Sequence, residues 1–294
     1  MSNNILSVIL TTFMYSTPLV LASLGGVISE CSGVINIGIE GMMSFGAFTG
    51  AYVGYFSGNP WLGLLAGGGA GLMISFLHAI ASVRFMADQT ISGIALNLIG
   101  PGLSLFLCRI FFNGQTTSYS VEHKLPKFFS TIDITTLLAL VAVVMVHFVF
   151  YKTKWGLRLR AVGEHPAAAD TLGVNVYKIR YVCVFLSGFL SGLAGACITL
   201  SVVSQFSPAT ICGQGFIALA AVIFGKWTPF GTYIACLLFA FAQSLTVLFG
   251  GSNLIPSEIL NTIPYILTIV VLILFVGKSV APKADGTAYN KETR

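Results

Sequence analysis

Charged residues are scarce in this chain of 294 amino acids. Asp, Glu, Lys and Arg make up 9% of the sequence, against roughly 25% in soluble domains. So few charged side chains cannot cover the surface of a soluble globule of this length. Hydrophobic residues make up 55% of the chain, which excludes intrinsic disorder. The scarcity of charge therefore indicates a protein that lies mostly in lipid.

Motifs of catalysis and metal binding are also missing from the sequence. It contains no His-Glu-x-x-His and no Cys-x-x-Cys, and its 6 cysteines are scattered without metal-ligand spacing. Residues 277–279 resemble the end of a phosphate-binding loop, but Leu272 stands where that motif needs Gly. We predict no catalytic residue, no metal site and no nucleic-acid partner, because the net charge of +5 is not clustered on a soluble domain.

Long apolar runs without charge dominate the chain instead. About 20 apolar residues cross a bilayer as a helix, and such runs predict spans near residues 5–29, 34–56, 61–83, 89–112, 132–151, 179–203, 229–250 and 258–277. A shorter run at 213–226 would reach only about 21 Å as a helix. The runs do not alternate polar and apolar residues as membrane β-strands do. We expect an all-α, polytopic helical membrane protein with about 8–10 transmembrane helices.

The basic residues predict the orientation of the spans. Ten of the 15 Lys and Arg residues lie in the loop 152–180 and in the tail after Gly277, so both segments should be cytoplasmic. Counting crossings then makes 213–226 a crossing and places the N-terminus outside, whereas a re-entrant early span would move the N-terminus inside. We assign residues 1–277 to one membrane domain and residues 278–294 to a cytoplasmic tail that we expect to be disordered.

Small residues recur at helical spacing in several spans. Glycine stands at every fourth position from 46 to 58 and again from 63 to 71, which predicts closely packed helices or, alternatively, helices that slide during transport. The segments 33–38 and 213–217 each precede an apolar stretch that ends near a Pro and a Gly. They form a candidate internal repeat with interrupted helices, a pattern typical of transporters.

Four polar residues at membrane depth are candidates for lining a solute path. Glu40 is an acid inside a hydrophobic span, so it is either a functional group or a residue near the cytoplasmic interface that caps or anchors its span. Asn36, Asn97 and Gln214 would line a path for a polar solute or form hydrogen bonds between helices.

The loop 160–174 predicts a short helix between two spans. Pro166 suits the first turn of a helix and Gly173 suits its C-terminal end, so about two turns lie between them. A helix of this length is not stable alone and makes sense when it docks on a partner. The alternative is an ordinary connecting loop that is rich in alanine.

This loop, with its continuation through 177–180 and 187–196, closely resembles inner-membrane permeases of ATP-driven (ABC) importers. The class comprises the branched-chain amino acid, simple sugar and nucleoside permeases, and the resemblance runs from about residue 25 to residue 277. The segments 32–41, 91–98 and 215–227 are similar to the nucleoside-type branch.

The resemblance implies a permease subunit rather than an enzyme, located as a multi-pass protein in the bacterial plasma membrane. Its short loop helix would be the coupling helix, which docks on a separate cytoplasmic ATPase subunit. The coupling residues would be Gly163, Glu164, Pro166, Ala168, Asp170 and Gly173. ATP and Mg²⁺ would bind that ATPase, so we expect no cofactor on this chain.

The same resemblance implies two further partners and a class of solute. The partners would be a second permease chain, homologous or identical, and an extracytoplasmic solute-binding lipoprotein. The solute would be a nucleoside or purine, with a simple sugar or a branched-chain amino acid as alternatives. An ion-coupled secondary transporter, with Glu40 as its proton site, is the competing interpretation from another class.

Overall fold

Ten α-helices account for most of the computed structural model, which describes residues 2–129, 132–249, 262, 266, 269–270, 273 and 280–291. The helices are α1 Ser2–Glu30, α2 Ile39–Ser57, α3 Pro60–Ala79, α4 Gln89–Phe111, α5 Ile134–Lys152, α6 Lys154–Glu164, α7 Pro166–Thr171, α8 Val176–Cys197, α9 Gln214–Phe224 and α10 Pro229–Phe249. Turns of π-helix continue α3 through Ile80–Arg84 and α8 through Ile198–Val202. Two short strands, β1 Lys127–Phe129 and β2 Ile132–Asp133, pair antiparallel.

Six helical stretches among the described residues are long and apolar enough to cross a membrane. They are Leu6–Glu30, Pro60–Arg84, Gln89–Phe111, Ile134–Lys152, Val176–Val202 and Pro229–Leu248. The helices α2 and α9 occupy the predicted spans near 34–56 and 213–226, and the predicted span 258–277 lies largely outside the described residues. The prediction of a polytopic helical membrane protein is confirmed.

Side-chain caps explain where several of these helices begin. The Asn59 side chain accepts a hydrogen bond from the backbone N–H of Trp61 at 3.0 Å, and Pro60 follows as the first helical residue of α3. Asp88 caps α4 and Asn175 caps α8 in the same way, each with a bond of 2.9 Å. Caps of this kind satisfy backbone donors that the first turn of a helix leaves open.

Helix ends fall into two layers. The C-terminal end of α1 meets the residues after α9, where Trp227 donates a side-chain hydrogen bond to Glu30, and the basic loop and the tail lie at this same end. At the opposite end, Val121 in the loop after α4 bonds to Ser204 at 2.8 Å. We call the layer with the basic loop the cytoplasmic layer, because the distribution of charge predicts this side; on that prediction the start of α1 lies at the outer end.

Glycines bring α2, α3 and α8 into backbone contact at the centre of the bundle. A Cβ added to Gly71 would lie 2.2 Å from the carbonyl oxygen of Gly188, and one added to Gly46 would lie 2.4 Å from that of Gly192. The predicted close packing is therefore present, because small residues let helix backbones approach in lipid.

This contact makes one glycine of α3 sensitive to substitution and a neighbouring one tolerant. We expect Gly71→Ala to lower stability by about 1–3 kcal/mol, because its methyl group overlaps the backbone of α8. Gly69→Ala is the matched control, since nothing lies within 4 Å of its Cβ position, and it should leave stability unchanged or raise it. Thermal unfolding of the two purified variants measures the difference; equal Tm values would contradict the packing.

Candidate translocation path and coupling surface

The ninth helix crosses only part of the membrane. Its 11 residues span about 16 Å, roughly half of the hydrocarbon core. Its C-terminal end lies in the cytoplasmic layer, and the preceding segment runs without regular helix from the outer layer, where Phe206 and Ser118 exchange hydrogen bonds of 2.8 and 3.0 Å. The predicted crossing at 213–226 is thus an interrupted one, which begins near residue 203.

The second helix is interrupted in the same manner. The predicted span near 34–56 begins as a helix only at Ile39, because Gly33 has a φ of +86° and residues 34–38 run without helix. The start of α2 and the start of α9 touch, since a Cβ on Gly215 would lie 2.6 Å from Cα of Glu40. The two segments of the candidate repeat therefore both precede helices that begin inside the bundle.

The Glu40 carboxylate bridges these two helix starts. Its Oε1 accepts the backbone N–H of Gly213 and its Oε2 that of Gly215, both at 2.6 Å. These are N–H groups that the first turn of α9 leaves open, and a carboxylate there is also favoured by the helix dipole. Glu40 therefore caps the start of a neighbouring helix, α9, and not the start of its own helix.

Side chains from distant helices satisfy the irregular backbone before α2. Asn97 accepts the N–H of Gly41 and donates to the carbonyl of Ile37, both at 2.9 Å. Nearer the start, the Gln89 side chain accepts the N–H of Ile35 at 2.7 Å. Non-helical backbone at membrane depth needs such partners, because lipid offers none.

Asn36 lies fully buried in this region and does not face an open path. Its Nδ2 donates to the hydroxyl of Ser187 at 2.8 Å, which ties the segment to α8. Asn36, Glu40 and Asn97 thus hold the interrupted helices in place. Gln214, the fourth predicted path residue, lies in the wall of a cavity of about 390 Å³.

The short helix that the sequence predicts in this loop is present as α7 and follows the 11-residue α6. Pro166 occupies its first turn, as the sequence predicts, and His165 caps it by accepting the N–H of Ala168 at 3.3 Å. Gly173 ends it with a φ of +81°, and its N–H bonds to the carbonyl of Asp170 at 2.9 Å. The left-handed conformation at this position explains the need for glycine.

The six predicted coupling residues have different surroundings. Ala168 and Glu164 are exposed, whereas Gly163 is buried against α1, where a Cβ would lie 2.1 Å from the carbonyl oxygen of Cys31. Asp170 faces the tail, with Oδ1 at 3.7 Å from Nζ of Lys291. Gly163 and Asp170 therefore position the loop, and Ala168 lies on its free surface.

Leu172 is a surface residue of this loop that sequence reasoning missed. It directly follows α7, and 85% of its surface is exposed, although its side chain is large and apolar. Leu172 stands four residues after Ala168, so the two lie on one face of the helical turn. The sequence gives no sign that Leu172 is exposed, and only the structure shows it.

The described part of the C-terminal tail packs on the coupling loop. Ala284 donates its N–H to the carbonyl of Gly163 at 2.8 Å, and Arg180, only 1% exposed, donates to the carbonyl of Thr287 at 2.8 Å. The rings of Tyr177 and Tyr289 lie 5.5 Å apart. Residues 280–291 therefore do not match the expected disordered tail, because buried partners on α6 and α8 hold them.

Asp285 in this segment makes its docking depend on pH. Burial raises the pKa of Asp285 to about 7, although the N–H of Gly286 and the Arg180 guanidinium act in the opposite direction. A released segment would return to the ordinary value of 3.8. The docked segment therefore holds a proton that the released one loses, so docking is strongest below pH 3.8 and weakens as the pH rises to about 7.

We expect amide exchange at Ala284 to report this change. Relative to the intrinsic rate, exchange should be faster at about pH 8 than at about pH 5, because ionised Asp285 disfavours docking. Asp285→Asn mimics the protonated form and should flatten the dependence. Hydrogen exchange followed by mass spectrometry measures the exchange rate in the wild-type protein and in the variant. An identical pH dependence in the two would contradict the assignment to Asp285.

Metal ligands do not cluster in the part of the chain that the structure describes. No group of three or more His, Cys, Asp or Glu side chains there could hold a metal ion. All six cysteines lie within this part, and five of them are buried.

Comparisons with known proteins agree with this architecture. The family model for the branched-chain amino acid transport system permease component matches residues 8–276. The chain is 45% identical to the guanosine ABC transporter permease protein NupQ of Bacillus subtilis, with 99% of this chain and 98% of the relative covered. It is 44% identical to the nucleoside ABC transporter permease protein NupC of Lactococcus lactis, with 98% of each covered.

The name of a more distant relative states a different solute. The chain is 36% identical to the putative glucose ABC transporter permease protein TsgC13 of Haloferax volcanii, with 96% of each chain covered. The named relatives are all transporter permease subunits. The chain therefore belongs to the family of branched-chain amino acid transport system permease components, and it is a multi-pass protein of the plasma membrane.

Proposed function

We propose that this chain is the permease subunit through which an ATP-driven importer moves a nucleoside or purine across the membrane. The observation that carries the proposal is the sequence identity of 45% and 44%, over nearly the whole chain, to two permeases whose names state guanosine and nucleoside transport. The 36% identity to a putative glucose permease keeps a simple sugar as the second candidate solute.

The proposed mechanism places the energy source on another chain. A cytoplasmic ATPase subunit binds ATP and Mg²⁺ and docks on α7, with Ala168 and Leu172 at the contact. The exposure of these two side chains supports this role. Movement of α7 passes to the bundle through Gly163, which packs on the end of α1.

Two further partners complete the proposed transporter. A second permease chain, identical or related, shares the path, and a solute-binding lipoprotein delivers the solute to the outer face. The starts of α2 and α9 lie together inside the bundle, where helix starts at membrane depth frame solute sites in transporters. A movement of these two helices would open the path alternately to the outer side and to the cytoplasmic side of the membrane.

Competition in an uptake assay tests the proposed solute. Cells that express the complete transporter should take up labelled guanosine, and unlabelled adenosine should compete while leucine and glucose should not. Uptake of labelled glucose with no competition by nucleosides would favour the sugar candidate. Cells that lack only this permease serve as the control.

A further inference from the structure

The cavity beside Gln214 has features of a solute site. It lies between α1, α10 and the segment that leads into α9, and Tyr15, Thr210, Gln214 and Gln243 contribute to its wall. Its volume of about 390 Å³ falls within the roughly 300–1,000 Å³ of small-molecule sites. Ile211, Ile217 and Val247 add apolar surface to the wall, and Thr246 adds a further polar side chain.

Two side-chain amides in this wall have unused hydrogen-bonding capacity. The Oε1 atoms of Gln214 and Gln243 are buried and have no hydrogen-bond partner within the described part of the chain. A buried acceptor without a partner costs about 1–3 kcal/mol, and rotation of either side chain toward the adjacent cavity would let a ligand with hydrogen-bond donors satisfy it. A carboxamide also carries an NH₂ group, so each amide can both accept from and donate to a planar base edge.

Charge excludes several classes of ligand from this cavity. None of the described residues that line it carries a charged side chain. The adjacent N-terminus of α9 would otherwise attract a carboxylate or phosphate, but Glu40 of the chain itself already accepts the N–H groups of Gly213 and Gly215. A zwitterionic amino acid or a nucleotide would therefore leave an unpaired charge at membrane depth, which is costly.

We infer that this cavity binds a neutral, planar solute of the nucleobase or nucleoside class, and that Gln214 and Gln243 select it through paired hydrogen bonds. Tyr15 adds an aromatic ring to the wall on which a base can stack. The inference rests on the proposed function as a solute permease, and it adds the residues that distinguish a neutral nucleoside from a charged metabolite of similar size.

Kinetics of uptake test the role of Gln243. In proteoliposomes with the complete transporter, Gln243→Leu should raise the KM for guanosine at least tenfold, because it removes the amide and keeps a similar volume. Gln205→Leu is the matched control: Gln205 is exposed in the loop before α9 and does not line the cavity, so its KM should stay unchanged. An unchanged KM in Gln243→Leu would overturn the inference.

Labelling of Cys212 tests the site without any variant. Cys212 lines the cavity and is the exposed one of the six cysteines. Guanosine should slow its reaction with N-ethylmaleimide in the purified permease at least threefold, whereas leucine and guanosine monophosphate should not. Equal slowing by the charged compounds, or no slowing by guanosine, would overturn the inference.

The two experiments separate this inference from the proposed function. If the wild-type transporter takes up no guanosine, the proposed function fails, and the labelling comparison still decides whether the cavity takes a neutral base. If guanosine uptake is present but neither the KM nor the labelling rate responds, the proposed function stands and the cavity assignment fails.

Discussion

Replacing Leu172 by aspartate should reduce ATP-driven uptake at least tenfold while the permease still inserts and folds. Leu172 is 85% exposed at the end of α7, so the substitution disturbs no packing within this chain. Burial of a leucine at an interface contributes about 1.5–3 kcal/mol, which is a factor of ten or more in affinity. An aspartate would in addition place a charge in the contact with the ATPase subunit.

Three variants separate docking from folding at this site. Leu172→Met keeps an apolar side chain of similar size and should retain uptake. Ala168→Glu, on the same face, should uncouple ATP hydrolysis from uptake as Leu172→Asp does. Co-purification of the ATPase subunit and initial uptake rates are measured for each; normal uptake in both Leu172→Asp and Ala168→Glu would contradict a docking role for α7.

Removing the Glu40 side chain should lower stability more than a change at any exposed position of the bundle. Glu40→Ala removes two charge-assisted hydrogen bonds between the starts of α2 and α9. Such bonds contribute about 1.5–3 kcal/mol each, and two N–H groups of Gly213 and Gly215 lose their partner. We expect a lower Tm in detergent together with loss of uptake.

Glu40→Gln distinguishes a structural bridge from a proton site. Glutamine keeps one acceptor oxygen, so we expect an intermediate Tm and measurable ATP-driven uptake. A proton-coupled transporter with Glu40 as its proton site would lose transport in this variant, because glutamine cannot take up and release the coupling proton. Complete loss of transport with an unchanged Tm would contradict the bridging role.

Sequence reasoning located the membrane helices because charge-free runs of about 20 residues have few other uses. It marked the segment 33–38 as part of a candidate repeat with interrupted helices but still began the membrane span at residue 34, since this segment is largely apolar. The break before α2 depends on Gly33 and on partners such as Gln89 and Asn97, which lie more than 50 positions away. Long-range hydrogen bonds of this kind leave no local pattern.

The coupling loop was predictable from local sequence signals, whereas the packing of the tail depends on distant residues. Pro166 and Gly173 are local signals, so the bounds of α7 followed from the sequence within two residues. The tail lacks an apolar period and therefore suggested disorder, but Arg180 and Tyr177 hold it through its backbone carbonyls. For Glu40, the sequence offered a functional group or a cap or anchor of its own span, whereas its partners are two backbone N–H groups of another helix.

The central claim is that ATP hydrolysis on a separate subunit drives solute movement through this chain. Proteoliposomes that contain the permease, its ATPase and its solute-binding protein should accumulate guanosine only when ATP is present on the side of the membrane that carries the ATPase. Accumulation should persist when an ionophore removes the proton gradient. Accumulation that continues without ATP and disappears with the ionophore would contradict the account.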